Sequence, residues 1–145
     1  MRGHLELMRS ISPPESTHAL DLDSLRAPGI TFWTLWDNGG GGDDLWGCGA
    51  LSEIGPGHGE IKSMHTARAH RGKGVAAHLV THMLSVARSR SYARLSLETG
   101  SMVEFEPARA LYARFGFADC PPFGSYIKDP NSVFMTLSMD KASSI

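Results

Sequence analysis

Cysteine is scarce. Cys48 and Cys120 are the only two among 145 residues, and they form neither a CxxC pair nor a disulfide framework. A chain so poor in cysteine reads as a reduced, cytoplasmic protein. Both thiols sit in apolar or proline-rich surroundings and read as inert rather than nucleophilic. A dominant charge is lacking too. Against 14 Lys and Arg stand 15 Asp and Glu, a net charge of −1, so no overall field recruits nucleic acid or an anionic membrane. No run approaches the ~18 apolar residues needed to span a bilayer. The segment Met1 to Arg9 has no apolar stretch of the signal-peptide kind. What is plentiful is glycine: 16 residues, of which 11 fall between Gly39 and Gly74. The apolar share of 41% and charged share of 20% are ordinary for a globular protein, and the length suits one domain, residues 1–145, with a core of its own.

Residues 1–30 read as irregular and helical pieces, with Leu5 to Ser10 as the tail of a first helix. Pro13-Pro14-Glu15-Ser16 stops one segment and starts another. Thr31 to Trp36 is β-branched and aromatic, which favours a strand. Asp37-Asn38 and Gly39 to Gly42 make a turn, and Leu45 to Ser52 is a second strand hairpinned to the first. Gly55 to Gly59 turns the chain into a third strand, Glu60 to Thr66. Ala76, Leu79, Val80, Met83, Val86 and Ala87 recur with a 3.6-residue period, opposite His78, Thr81, His82, Ser85, Arg88 and Ser89, and predict an amphipathic helix. Ala93 to Glu98 is a short strand. A second helix lies between Pro107 and Gly116, with Ala108, Leu111, Tyr112 and Phe115 inward. Val133 to Leu137 is the last strand. The order predicts an α/β fold of the mixed α+β kind, a sheet flanked by helices.

The stretch Arg71-Gly72-Lys73-Gly74-Val75-Ala76 stands between a strand and the start of the strongest helix. A helix start offers unpaired N–H groups and a partial positive charge. Glycine lets an anion approach those groups, and Arg71 and Lys73 add cationic donors, so a pyrophosphate is a natural ligand. It is not a Walker loop, because Lys73 is followed by Gly74 rather than a hydroxyl residue. It is not a Rossmann fingerprint, because Ala77 occupies the third glycine position and the preceding strands read as antiparallel. His78 and His82 share a helix face, but Leu79 stands where HExxH needs glutamate and no third ligand is evident, so no metal site is expected. His70 reads as a solvated loop residue or a phosphate contact. Trp33, Trp36 and Trp46 read as packing residues of the hairpin.

Arg71, Gly74 and Ala76 form an Arg-x-x-Gly-x-Ala pattern that resembles motif A of the GNAT N-acetyltransferase superfamily. Glu60 to Thr66 resembles that family's central strand. Ala108-x-x-Leu111-Tyr112-x-x-Phe115-Gly116-Phe117 resembles its later helix. The close resemblance covers residues 59–117. It implies the GNAT acyl-CoA N-acyltransferase fold, with a mostly antiparallel central sheet whose first strand is missing or altered here. It implies acetyl-CoA as cosubstrate, without a metal, bound by Arg71, Gly72, Lys73, Gly74, Val75 and Ala76 at the pyrophosphate. Met64 and Thr66 would bind the pantetheine arm through backbone N–H groups. Glu60 matches the position of a glutamate base in several members. Glu98, expected on the neighbouring strand, is a second base or an anchor for the acceptor, and Tyr112 resembles the general acid toward sulfur. Phe105 stands where many members carry asparagine. Glu15, His18 and Tyr126, in proline-rich segments, are candidate substrate contacts. The implied reaction is direct acetyl transfer in a ternary complex to the amine of a small molecule or peptide. A non-catalytic acyl-CoA sensor on the same fold is the alternative. Sheet edges of this fold often pair, which would make a homodimer.

Overall fold

A computed structural model describes residues 3–8, 29–37 and 45–139. The strands are β1 (Gly3–Met8), β2 (Ile30–Asp37), β3 (Leu45–Gly55), β4 (His58–Thr66), β5 (Arg94–Gly100), β6 (Ala118–Cys120) and β7 (Ser132–Ser138). The helices are α1 (Val75–Ser89) and α2 (Glu106–Arg114), each preceded by a short 3₁₀ turn, Arg68–His70 and Val103–Phe105. The sheet order is β1-β2-β3-β4-β5-β7-β6. The pairs β1/β2, β2/β3, β5/β7 and β6/β7 are antiparallel, and β4/β5 is parallel.

Two elements differ from the sequence reading. Leu5 to Met8 is not a helix tail but part of β1, with Leu5 opposite Leu35 and Met8 opposite Phe32. The run His4-Leu5-Glu6-Leu7 has a two-residue period, and β2 supplies the backbone partners that a helix would have supplied internally. A strand thus stands where the resemblance implied one missing or altered. β6 was not expected, because three residues carry no readable alternation. Glu15, His18 and the glycines 39–42 lie outside the described residues.

The chain divides into two units, Met1–Ser52 with Lys62–Ser85, and Glu53–Ile61 with Val86–Ile145. In the first, Phe32, Cys48 and Ala50 form a buried cluster edged by Ile30. Val75, Leu79, Val80 and Met83 of α1 are buried. Their close approach to β3 explains a glycine that has no turn to make. A Cβ on Gly47 would stand 2.7 Å from both the His65 carbonyl oxygen and Val75 Cγ1.

In the second unit, strand alternation sorts the side chains into two faces. Ile61, Leu97 and Met135 are cross-strand neighbours, as are Leu95 and Leu137, and they make the apolar face. The end of α2 covers that face, with a Cβ on Gly116 only 3.2 Å from Leu137 Cδ1. The opposite face carries His58 and Glu60 of β4, Arg94, Ser96 and Glu98 of β5, and Phe134 and Thr136 of β7.

Candidate active site

In the first unit the glycine loop is built from the 3₁₀ turn onward. Ala67 N–H donates to the Trp46 carbonyl at 2.8 Å, and His70 N–H donates to the Ala67 carbonyl at 2.9 Å. Gly72 and Gly74 then adopt φ of +81° and +80°, and His78 N–H donates to the Gly74 carbonyl at 3.0 Å as α1 begins. A Cβ at either glycine would meet nothing within 4 Å. The left-handed backbone, not crowding, demands glycine there. Arg71, Gly72, Lys73 and Gly74 are exposed, Val75 is buried and Ala76 half-buried. The arrangement suits an anion: two exposed cationic side chains, an open backbone turn and the N–H groups that a first helical turn leaves unpaired.

His70 departs from the reading of a solvated loop residue. It is 8% exposed and stacks on Trp46 at a centroid distance of 5.0 Å, because the Trp46 carbonyl anchors the turn that carries it. Trp46 itself is buried, and its Nε1 has no hydrogen-bond partner among the described residues. Met64 and Thr66 are half-buried on β4. Within the same strand Ser63 takes φ of +58°. The pairing of β4 with β5 runs from His58 to Ile61.

In the second unit the structure brings together three of the predicted residues. Glu60 is 5% exposed, and Tyr126 Oη donates to its Oε2 at 2.5 Å. Glu60 is thus not the solvent-facing carboxylate that a polar position on a strand suggests. Glu98 follows on the same face of the adjacent strand, exposed, and accepts from Ser132 Oγ at 2.5 Å. Burial, the hydrogen bond to Glu60 and the charges of Glu60 and Glu98 all push the Tyr126 phenol up, so it stays a donor.

Phe123 and Phe134 complete the cover. Tyr126 lies 5.2 Å from Phe123 and 5.4 Å from Phe134, and Phe123 lies 5.9 Å from His58. Beneath them runs a row of polar contacts. His58 Nε2 meets Ser96 Oγ at 2.7 Å, Ser96 Oγ meets Thr136 Oγ1 at 2.9 Å, and Arg94 donates to Thr136 Oγ1 at 2.9 Å. Sequence reasoning missed Ser96, Thr136, Ser132 and His58. Ser96 carried a signal, as a polar residue between Leu95 and Leu97 on β5; His58, Ser132 and Thr136 carried none comparable.

Tyr112 stands on α2, the helix over the apolar face. It is 6% exposed and packs edge-on to Phe117, and burial pushes its phenol up to about 12. Cys48 is buried, its thiol pushed up to about 12. Cys120 is half-buried, and burial is also the main cause raising its thiol. Neither is poised as a thiolate. Among the described residues, no group of three or more His, Cys, Asp or Glu is placed to hold a metal ion, and no helix is long and apolar enough to cross a membrane.

A mixed sheet with a glycine loop opening the helix after β4 defines the class: an acyltransferase that draws on acyl-CoA. The chain belongs to the acetyltransferase (GNAT) family, whose model matches residues 4–117. It is 58% identical over 133 residues to the uncharacterised N-acetyltransferase YsnE of Bacillus subtilis, spanning 92% of this chain and 85% of that protein. It is 46% identical over 136 residues to the uncharacterised N-acetyltransferase YedL of Escherichia coli, spanning 94% and 83%. A GNAT family acetyltransferase from Elizabethkingia anophelis, crystallised with acetyl-CoA, shares the fold with a TM-score of 0.74 over 95% of this chain and 99% of that one, at 16% identity. The activity is acetyl transfer from acetyl-CoA as cosubstrate, in a family that acts on amines.

Proposed function

We propose that this acetyltransferase acts in the cytoplasm as one domain, residues 1–145. It modifies an amine on a small molecule or peptide by direct attack in a ternary complex. The observation that carries the reading is Glu60: a carboxylate 5% exposed, held at one oxygen by Tyr126 and set beside a second carboxylate, Glu98. An alkyl amine with pKa about 10.4 is mostly protonated at neutral pH, and deprotonation costs about 4–5 kcal/mol. Glu60 takes the proton as the amine attacks. Glu98, steadied by Ser132, attracts the ammonium before that step. Tyr126 holds Glu60 in place and meets the acceptor.

Arg71, Lys73 and the backbone of Gly72, Gly74, Val75 and Ala76 bind the pyrophosphate. The open positive-φ turn supports this assignment. Met64 and Thr66 bind the pantetheine arm through N–H groups beyond the stretch where β4 pairs with β5. Tyr112 donates toward the departing sulfur. Direct attack is favoured over an acetyl-cysteine intermediate because both thiols are pushed up.

The test is CoA release with an amine panel, with products identified by mass. Turnover is expected on at least one amine. Glu60→Gln should lower kcat/KM by roughly 10²–10⁴-fold, the usual range for a positioned base. Absence of any heat or thermal shift with acetyl-CoA would sink the reading, and full turnover by Glu60→Gln would remove Glu60 from it.

A further inference from the structure

The turn that leads into the glycine loop holds an arrangement that the reaction has not yet used. His70 is 8% exposed and its ring lies on that of Trp46, with 5.0 Å between centroids and 29° between planes. The main chain ties the same two segments together, Ala67 N–H to the Trp46 carbonyl at 2.8 Å and His70 N–H to the Ala67 carbonyl at 2.9 Å. Indole and imidazole are therefore fixed to each other by backbone as well as by ring contact. From this base His70 Nδ1 reaches Lys73 Nζ at 3.2 Å. An ammonium has only donors, so Nδ1 is the acceptor and the proton of the neutral ring sits on Nε2. Lys73 is otherwise an exposed side chain next to the Gly72–Gly74 turn. Lysine is among the side chains that lose most rotamer freedom when ordered, a cost usually borne at the moment of binding.

We propose that His70 is a positioning residue for the cosubstrate: clamped on Trp46, it holds the Lys73 ammonium in place before the phosphates of acetyl-CoA arrive. The inference rests on the reading of Arg71 to Ala76 as the phosphate loop. Trp46 and His70 touch no phosphate. They act through Lys73, and their effect is on cosubstrate affinity rather than on the acetyl-transfer step.

The test measures acetyl-CoA affinity by calorimetry for His70→Phe, His70→Asn, Lys73→Met and the double variant His70→Phe/Lys73→Met, with Arg71→Glu as a control on the loop. Phe keeps a flat ring for Trp46 but offers no acceptor, whereas Asn puts an oxygen near the place of Nδ1. His70→Phe should weaken acetyl-CoA about five-fold and Lys73→Met about ten-fold, and the double variant should be no worse than Lys73→Met, because the two residues act as one unit. His70→Asn should recover most of the loss. In turnover the loss falls on the KM for acetyl-CoA, with kcat and the KM for the amine unchanged. A ¹⁵N-histidine NMR spectrum of the unsubstituted protein should show His70 protonated at Nε2, a readout that does not depend on any variant folding.

Equal losses from His70→Phe with and without Lys73 would mark a merely structural stack and overturn the proposal. So would an Nδ1-protonated ring, or wild-type affinity in His70→Phe or Lys73→Met. Arg71→Glu separates the two levels. A strong loss there beside an inert Lys73 leaves the loop reading standing and removes the role of His70. An inert Arg71 beside an inert Lys73 removes the loop reading itself.

Discussion

Tyr126→Phe isolates one hydrogen bond. The ring packing on Phe123 and Phe134, at 5.2 and 5.4 Å, survives the change, and only the phenol that donates to Glu60 at 2.5 Å is lost. Hydrogen bonds to charged groups contribute about 1.5–3 kcal/mol. Tyr126 is 37% exposed, so water replaces part of the bond and the lower end applies. One pH unit corresponds to about 1.4 kcal/mol. The phenol favours the ionised carboxylate, so without it Glu60 takes up a proton more readily, and the acidic limb of the kcat/KM profile should move up by about one unit. The assay is CoA release across pH 5.5–9, roughly the range centred on neutral operation, with one amine used for both proteins. The ionisation of the amine then cancels in the ratio of variant to wild type. That ratio should stay near unity at the alkaline end and fall about ten-fold at the acidic end. A ratio lowered equally at every pH would make Tyr126 a substrate contact only. A flat ratio near unity would refute the link to Glu60.

The remaining expectations use other parts of the molecule. Iodoacetamide should modify native Cys120 slowly and leave Cys48 untouched until the protein unfolds, since Cys48 is buried with its thiol pushed up to about 12; mass mapping checks this. His58 and His82 are held below the ordinary 6.5, first by burial and then by the neighbouring Arg94 and His78. The unfolded chain then binds more protons, so stability present above about pH 6.5 is lost as the pH falls from there through the lower folded values, and the Tm of His58→Gln/His82→Gln should depend less on pH. Tyr112→Phe should lower kcat by about 10–100-fold while acetyl-CoA affinity holds, the loss of one hydrogen bond to a developing charge.

Where an element faces the core on one side only, its period was readable in the sequence. The leucines, valines and methionine of α1 mark the buried stripe, and Gly72 and Gly74 mark a backbone that other residues resist. What could not be read depends on partners distant in sequence. A histidine flanked by arginines and a lysine looks solvated, and His70 is buried only because Trp46, on another strand, anchors its turn. Glu60 alternates with His58 and Lys62 like any polar strand face. Its burial comes with the segment Pro121 to Tyr126, whose two prolines and one glycine carry no periodicity. β1 was misread for a related reason: six residues suit a helix end as well as a strand until β2 decides between them.

The burial of Tyr112 also limits what it does in the proposed reaction. Its phenol is pushed up to about 12, whereas an alkyl thiol such as that of cysteine ionises near 8.5. Moving a proton from that phenol to the departing thiolate is therefore uphill. A thiolate is already an adequate leaving group near neutral pH, so the transfer is not required. What Tyr112 can supply is a strong donor that never ionises in the working range and stabilises the sulfur as charge develops on it. In the proposed reaction the proton that the amine gives up would go to Glu60 and from there to solvent, and the thiolate would take its proton from solvent after release. This assignment separates the two residues by pH. The acidic limb belongs to Glu60. Tyr112 adds no alkaline limb below about pH 10, because a group raised to about 12 remains almost wholly protonated there.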